Sequence, residues 1–230
     1  MPYTYDYPRP ALTVDCMLLA YTAGQPIEVL LIQRGKDPFK HHWALPGGFV
    51  DEMEDLPVAA RRELAEETGI QLNALEQFAA FGKPGRDPRG HVVSVAHWAL
   101  IDPAQHSVKA ADDASNAQWF PISDLPTLAF DHAEIIASGL HHIHVQSHYR
   151  PLGLNLLEET FRSQEWIDLN RQLLVQGGLS AENLSEQFAH WKKLGIFLPV
   201  STNEQEVRFR VDWQKMNARS GQPGSTSDEK

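Results

Sequence analysis

The 230-residue chain contains a single cysteine, Cys16. That excludes a disulfide framework and a thiolate zinc site, and it suits a reducing cytoplasm. A long apolar run is missing as well: the stretch from Leu12 to Ala23 is too short to span a bilayer and contains Asp15. Residues 1–10 hold no basic cluster followed by an apolar core, so they do not read as a secretory signal. A basic surplus is also lacking. Lys and Arg number 20 against 30 Asp and Glu, for a formal net charge of -10. Such a chain gains nothing from general attraction to nucleic acid or anionic membrane. A polyanion would have to be met by a local basic patch or through metal ions. There is no internal repeat. The expectation is a soluble cytoplasmic protein with no membrane partner.

Hydrophobic residues make up 42% of the chain and charged residues 22%, enough for a packed core over most of its length. The length fits one large domain, or one of about 150 residues with a small second one. Leu12–Tyr21 and Ile27–Gln33 read as strands joined at Gly24-Gln25-Pro26, a hairpin pattern. Pro57–Thr68 reads as a helix with Asp55 as N-cap and Gly69 at its C-terminal cap. Further strands are expected at Glu76–Phe81, His91–Ile101 and Gln118–Phe120, and a helix at Phe130–Tyr149. Strands and helices mixed in this way imply a sheet covered by helices.

The character changes at Tyr149-Arg150-Pro151-Leu152-Gly153. Helices are expected at Arg162–Val175 and Ala181–Leu194, then strand-like runs at Ile196–Val200 and Glu206–Val211. Helix, turn, helix and hairpin is the order of a winged-helix module. The expected division is therefore 1–149, a winged-helix-like 150–215, and a disordered tail over 216–230.

The stretch that carries chemistry is Gly48–Ile70. On its helix Glu63, Glu66 and Glu67 are spaced by three and four residues, so they point the same way. Three carboxylates on one face repel one another, and the only nearby cations are Arg61 and Arg62. A hard divalent ion such as Mg²⁺ resolves the repulsion and commonly bridges carboxylates to a substrate's phosphates. Gly47 and Gly48 permit close backbone approach, so a carbonyl there is a further oxygen ligand. Metal ions neutralise phosphate charge and lower the pKa of bound water, and a nearby carboxylate can take the water's proton. Arg62, paired with Glu54 or Glu66, would hold the cluster in position.

Gly48, Glu54 after five residues, and Arg62-Glu63-Leu64-Ala65-Glu66-Glu67-Thr68-Gly69-Ile70 after seven more match the Nudix hydrolase signature at every fixed position. Chance would produce that match with a probability on the order of one in ten million at ordinary residue usage, which excludes a bland acidic helix as the explanation. The resemblance implies an α/β/α sandwich around a mixed sheet. It implies a Mg²⁺ or Mn²⁺ site at Glu63 and Glu67, usually with Glu66 and the Gly47 carbonyl, supported by Glu54 and Arg62. The flanks Trp43-Ala44-Leu45-Pro46-Gly47-Gly48-Phe49-Val50, Arg86-Asp87-Pro88-Arg89-Gly90, Trp119-Phe120-Pro121 and Ala129-Phe130-Asp131-His132 resemble the ADP-ribose-recognising branch. The substrate implied is a nucleotide derivative with a diphosphate bridge.

Arg34, Arg86 and Arg89 are candidates to pair with phosphate or stack on a base, or are ordinary surface arginines. Phe39 and Trp43 are stacking platforms or core aromatics. His132 is a hydrogen-bond partner for ribose or phosphate, or a structural histidine. Asp112 and Asp113 lie in a loop where family members often place an additional base, though a plain turn is the simpler reading. Cys16 reads as packed rather than reactive. His141, His144 and His148 share a helical face beside His142 and could bind a transition metal. No Cys or acidic ligand is interleaved, so the reading is a solvated or domain-facing surface.

A Nudix domain followed by a winged-helix-like segment also resembles the Nudix-related transcriptional regulators of NAD metabolism, which bind DNA as dimers. A homodimer is therefore expected. Many such regulators carry a degraded Nudix box; this one is complete, which favours retained hydrolysis. DNA binding is disfavoured by charge. Residues 151–215 hold seven basic and nine acidic side chains, where a reader of duplex DNA normally shows a basic face. The would-be recognition helix opens Ser180-Ala181-Glu182-Asn183 and carries Glu186, and the wing turn 201–205 has no Lys or Arg. Arg208 and Arg210 are the best remaining phosphate contacts. A dimerising or substrate-covering accessory domain is the expectation.

Overall fold

The computed structural model describes residues 6–108, 114–178, 180–200 and 207–220. It divides into two compact units, Met1–His142 and Ile143–Lys230. The division falls inside a helix, earlier than the change of character at residues 149–153.

The first unit is a seven-stranded mixed sheet with a helix on each face. Its strands are β1 (Ala11–Ala20), β2 (Glu28–Arg34), β3 (Trp43–Ala44), β4 (Gly47–Phe49), β5 (Glu76–Phe81), β6 (Val92–Ile101) and β7 (Ala114–Pro121). The main path runs β3-β2-β1-β6-β5, with β4 also paired to β1 and β7 to β2. β1 and β6 are parallel over ten residue pairs, and the other pairings are antiparallel. The two shortest strands, β3 and β4, are not visible as runs in the sequence. They form because 43–49 folds back along β2 and β1, with Ile32 opposite Ala44 and Asp15 opposite Gly47.

Alternation along β1 sorts its side chains between the faces. Val14, Cys16 and Leu18 pack with Ala59, Ala60 and Leu64 of α1 (Leu56–Thr68). On the other face, Met17 lies against Gly139 of α2 (His132–Ser147). There a Cβ at position 139 would come within 2.5 Å of the Met17 Cε. This is the α/β/α sandwich expected. Cys16 is fully buried, its thiol donates to the Ala60 carbonyl, and burial raises its pKa well above the usual thiol value. It is a packed residue.

α1 starts where Asp55 and Pro57 place it, although the Asp55 side chain makes no capping hydrogen bond. Gly69 closes it at φ 73°, the left-handed conformation that favours glycine, with its N–H donating to the Ala65 carbonyl.

The second unit holds α3 (Ser163–Gln176), α4 (Leu184–Lys193), the hairpin β8 (Phe197–Val200) with β9 (Arg208–Val211), and α5 (Trp213–Ser220). Its core is aromatic. Phe188 of α4 meets Phe197 at 4.8 Å, Phe209 at 5.0 Å and Trp166 of α3 at 5.9 Å. Phe161 exchanges both backbone hydrogen bonds with Phe209, adding a single bridge to the hairpin. The helix α5 was not expected. Asp212 starts it, accepting the Lys215 N–H on its side chain and the Met216 N–H on its carbonyl, so helix continues past residue 215 into the stretch read as tail. The wing turn, Asp112, Asp113 and 221–230 lie outside the described residues.

Candidate active site

A cavity of about 540 Å³ opens on the first unit, lined by Gly47, Gly48, Glu63, Glu66, Glu67, Arg34, Arg86, Arg89 and His132 among others. These residues come from β2, β4, α1, the segment before β6 and the start of α2, yet they meet in one space.

Two glycines make the helix–strand junction possible. A Cβ on Gly47 would stand 2.1 Å from the Val14 carbonyl oxygen, and one on Gly48 would stand 2.5 Å from the Glu63 carboxylate. With no side chains there, β4 packs close and the Gly47 N–H donates to Glu67 Oε2 at 2.8 Å.

Arg62 binds behind the acidic face. It grips Glu54 with two parallel hydrogen bonds of 2.8 Å, reaches Glu63 Oε1 at 2.8 Å and Glu66 Oε2 at 3.3 Å, and donates to the Phe49 carbonyl. Arg62 holds the Glu54 carboxyl at a pKa of about 2, with help from the Asp51 N–H. Glu54 itself does not line the cavity; it anchors the arginine that anchors Glu63. Burial raises the Glu63 pKa against the opposing pull of Arg62. Burial likewise pushes Glu67 up to about 8, reinforced by Glu63 and Asp15 and opposed by the Gly47 N–H.

That situation tests the fit of a divalent cation. A buried carboxylate facing other carboxylates is short of positive charge, and an ion between Glu63 and Glu67 would supply it. The oxygens on offer are carboxylates and a backbone carbonyl, the donor set of a hard ion. As placed, no three His, Cys, Asp or Glu side chains among the described residues already stand as a finished cage, so ion binding would draw the carboxylates together.

Deeper in the cavity lies a network of which sequence reasoning named Arg86 and His132 but missed Asp15 and Ser94. Asp15 is buried on β1, on the face opposite Cys16. It accepts a short hydrogen bond from Ser94 Oγ at 2.5 Å, and its Oδ1 lies 3.6 Å from His132 Nε2. Arg86 forms a two-pronged pair with Asp131 at 2.8 and 2.6 Å and approaches Asp15 at 3.6 Å. The Leu45 N–H donates to His132 Nδ1 at 2.8 Å. The proton of a neutral ring therefore sits on Nε2, facing Asp15, and burial lowers the ring's pKa. Arg86 and His132 were candidates from the sequence; Asp15 was hinted at only by its position within an apolar strand.

The remaining predicted residues divide. Arg34 lies over the Phe130 ring at 4.7 Å, and Arg89 lies over Phe49 at 5.1 Å while pairing with Asp87. Phe39 and Trp43 do not line the cavity: Phe39 packs on Phe130 at 4.8 Å and Trp43 on Phe120 at 4.6 Å. The aromatic wall is Phe49 and Phe130 instead, and Phe130 holds a positive φ of 51°, a strained conformation for a bulky residue. In the second unit, Arg208 is engaged by Thr160 and Glu158, whereas Arg210 is exposed.

The model of the NUDIX domain matches residues 9–139. The chain belongs to the Nudix family. Enzymes of the family generally use divalent metal ions. This Nudix protein is 37% identical over 164 residues to the ADPR responsive transcriptional repressor NtrR of Acinetobacter baylyi, covering 70% of this chain and 65% of that one. It is 41% identical over 130 residues to the ADP-ribose pyrophosphatase of Methanocaldococcus jannaschii, covering 56% of this chain and 73% of that one. The crystal structure of Shewanella oneidensis NrtR complexed with a 27mer DNA superposes with a TM-score of 0.68 at 28% identity, covering 87% of this chain and 92% of that one. The alignment thus spans just under two thirds of the A. baylyi protein.

Proposed function

We propose that this Nudix protein hydrolyses the diphosphate bridge of an ADP-ribose-like nucleotide derivative, with Mg²⁺ or Mn²⁺ held by Glu63, Glu66, Glu67 and the Gly47 carbonyl. The observation that carries it is Arg62, which ties Glu54, Glu63 and Glu66 together beside a cavity that Arg34 and Arg89 also line. A diphosphate needs both sides: cations to neutralise its oxygens and carboxylates to hold the metal. The bound metal would polarise the phosphoryl oxygen and acidify a water. Arg34 and Arg89 would meet phosphate charge, Arg34 by leaving the Pro38 carbonyl and Arg89 by leaving Asp87. Phe130 and Phe49 supply flat apolar faces for a base, and Asp15 with His132 offers buried partners for hydroxyl groups. For ADP-ribose the products are AMP and ribose 5-phosphate. The curated relative from M. jannaschii, an ADP-ribose pyrophosphatase by name, favours this substrate class.

Purified protein assayed with Mg²⁺ on ADP-ribose beside other nucleoside diphosphate derivatives tests the reading. Cleavage of ADP-ribose that Glu63→Gln abolishes is expected. Cleavage of none, or an unchanged rate in that variant, would overturn it.

A second reading is favoured by the match, over 87% of this chain, to a DNA-bound regulator: an ADP-ribose-responsive, dimeric DNA-binding protein whose second unit is a winged helix. The acidic balance of residues 151–215 and the internal engagement of Arg208 weigh against it. A gel shift on the protein's own upstream DNA, with and without ADP-ribose, separates the two. Light scattering on the full chain tests the dimer.

A further inference from the structure

The Nudix cavity contains a polar gap that the chain holds open. Asp15 keeps 7% of its surface exposed and His132 5%, and both line the cavity. Asp15 Oδ1 and His132 Nε2 face each other at 3.6 Å, too far apart to hydrogen-bond directly. Arg86 stands off from Asp15 Oδ2 by 3.6 Å as well.

Each member is pinned from behind. Ser94 Oγ donates to Asp15 Oδ2 at 2.5 Å. The Leu45 N–H donates to His132 Nδ1 at 2.8 Å, which leaves the ring's proton on Nε2, toward the gap. Asp131 holds Arg86 with two bonds, of 2.8 and 2.6 Å. Closing the gap would break one of these bonds. A donor and an acceptor therefore stay side by side, and among the described residues neither has a nearer polar partner. Folds rarely leave such buried groups unmet.

The chemistry of the gap selects its occupant. A phosphate oxygen would face the Asp15 carboxylate, and the one cation nearby, Arg86, is already neutralised by Asp131. A carbonyl accepts from His132 but gives Asp15 nothing, and an ammonium does the reverse. A hydroxyl does both through one oxygen. Position narrows the choice further. Asp15 lies opposite Gly47 where β1 pairs with β4, and paired strands are about 4.8 Å apart. The Gly47 carbonyl is assigned to the metal that meets the diphosphate, so a hydroxyl in the gap belongs to a group attached directly to that bridge.

The geometry points to a specificity subsite in which Asp15 and His132 together bind one sugar hydroxyl beside the diphosphate. Asp15 accepts from the hydroxyl, and His132 Nε2–H donates to it. The subsite rests on the proposed function, since that reading places the diphosphate at Gly47. ADP-ribose carries a ribose on each side of its bridge, and the test separates the two.

Full-length Glu63→Gln protein in Mg²⁺, chosen so that the ligand is not consumed, is titrated by calorimetry with ADP-ribose. The same titration is run with analogues that each lack one hydroxyl of one ribose. One analogue should bind roughly 10- to 100-fold more weakly than ADP-ribose, the loss expected for a hydrogen bond to a charged group, and its missing hydroxyl identifies the ribose. Asp15→Asn in the same background keeps the size of the side chain but replaces the carboxylate. ADP-ribose and that analogue should then bind alike, whereas a general distortion of the cavity would weaken both and preserve their ratio. His132→Phe, which removes the donor across the gap, gives the same reading should Asp15→Asn fail to fold. Analogues that all bind as ADP-ribose does, or a ratio that survives the substitutions, would overturn the subsite even where the wild type hydrolyses ADP-ribose. Hydroxyl-dependent binding by a protein that cleaves no substrate would uphold the subsite and overturn the hydrolytic reading. No binding of ADP-ribose at all would overturn both.

Discussion

Replacing Gly48 by alanine displaces one carboxylate and little else. The new Cβ would lie 2.5 Å from the Glu63 carboxylate, where ordinary contact begins at 3.4 Å. Glu63 must therefore retreat by about 0.9 Å. Misplacement of a reacting group by about 1 Å costs about a hundredfold in rate, or about 2.7 kcal/mol of barrier. The fold should tolerate the change, because the obstructing atoms end a flexible side chain. Gly47→Ala makes the contrast. Its Cβ would meet the Val14 backbone oxygen at 2.1 Å, and no side-chain rotation relieves that. Steady-state hydrolysis of ADP-ribose in Mg²⁺ and thermal melts of both variants are the assays. Gly48→Ala should keep a near-native melting temperature with kcat reduced about a hundredfold, while Gly47→Ala should melt well below it. Wild-type turnover in Gly48→Ala would refute the claim that Glu63 is held in a working position by that close approach.

Arg62→Lys keeps the charge but cannot grip Glu54 with two prongs and reach Glu63 and Glu66 together; kcat should fall by roughly 10- to 100-fold with native circular dichroism, and an unchanged kcat would show the network to be idle. Leu64→Ala empties a fully buried site beneath α1 and should cost about 2–5 kcal/mol in urea denaturation; less than about 1 kcal/mol would mean the helix is not seated as described. Phe188→Ala removes the centre of the aromatic cluster, so amide exchange across 163–193 should accelerate while the sheet of the first unit stays protected; uniform protection would contradict that packing. His97 is buried in β6, and burial lowers its pKa. The unfolded chain takes up a proton near 6.5 that the folded chain resists, so the stability is full above that pH and declines as pH falls through it toward the folded value. His97→Gln should flatten the fall in urea midpoint between about pH 7.5 and about pH 5.5, and an equal slope would rule His97 out.

The acidic helix was legible because its chemistry is local: a fixed spacing on one helix fixes which side chains share a face. The β1–β2 hairpin and the caps of α1 were legible for the same reason. What stayed hidden depends on distant pairing. Ser94 and Asp15 are 79 residues apart and meet only because β1 and β6 run parallel in register. Phe49 and Phe130 form the cavity's aromatic wall in place of Phe39 and Trp43 because Phe39 packs onto Phe130 and Trp43 turns to Phe120. Arg208 looked like a free cation on a strand face, but Glu158 and Thr160, half a hundred residues earlier, claim it. The helix α5 was missed because its eight residues are mostly polar and follow a strand without a strong apolar period.

The central claim is that glutamates of α1 hold divalent cations against a diphosphate. A crystal of the full-length protein soaked in Mn²⁺ and examined for anomalous scattering tests it most directly. The account predicts a manganese peak between the Glu63 and Glu67 carboxylates, within bonding reach of the Gly47 carbonyl oxygen and absent from Glu63→Gln crystals. A map with those carboxylates ordered and no peak beside them would contradict it.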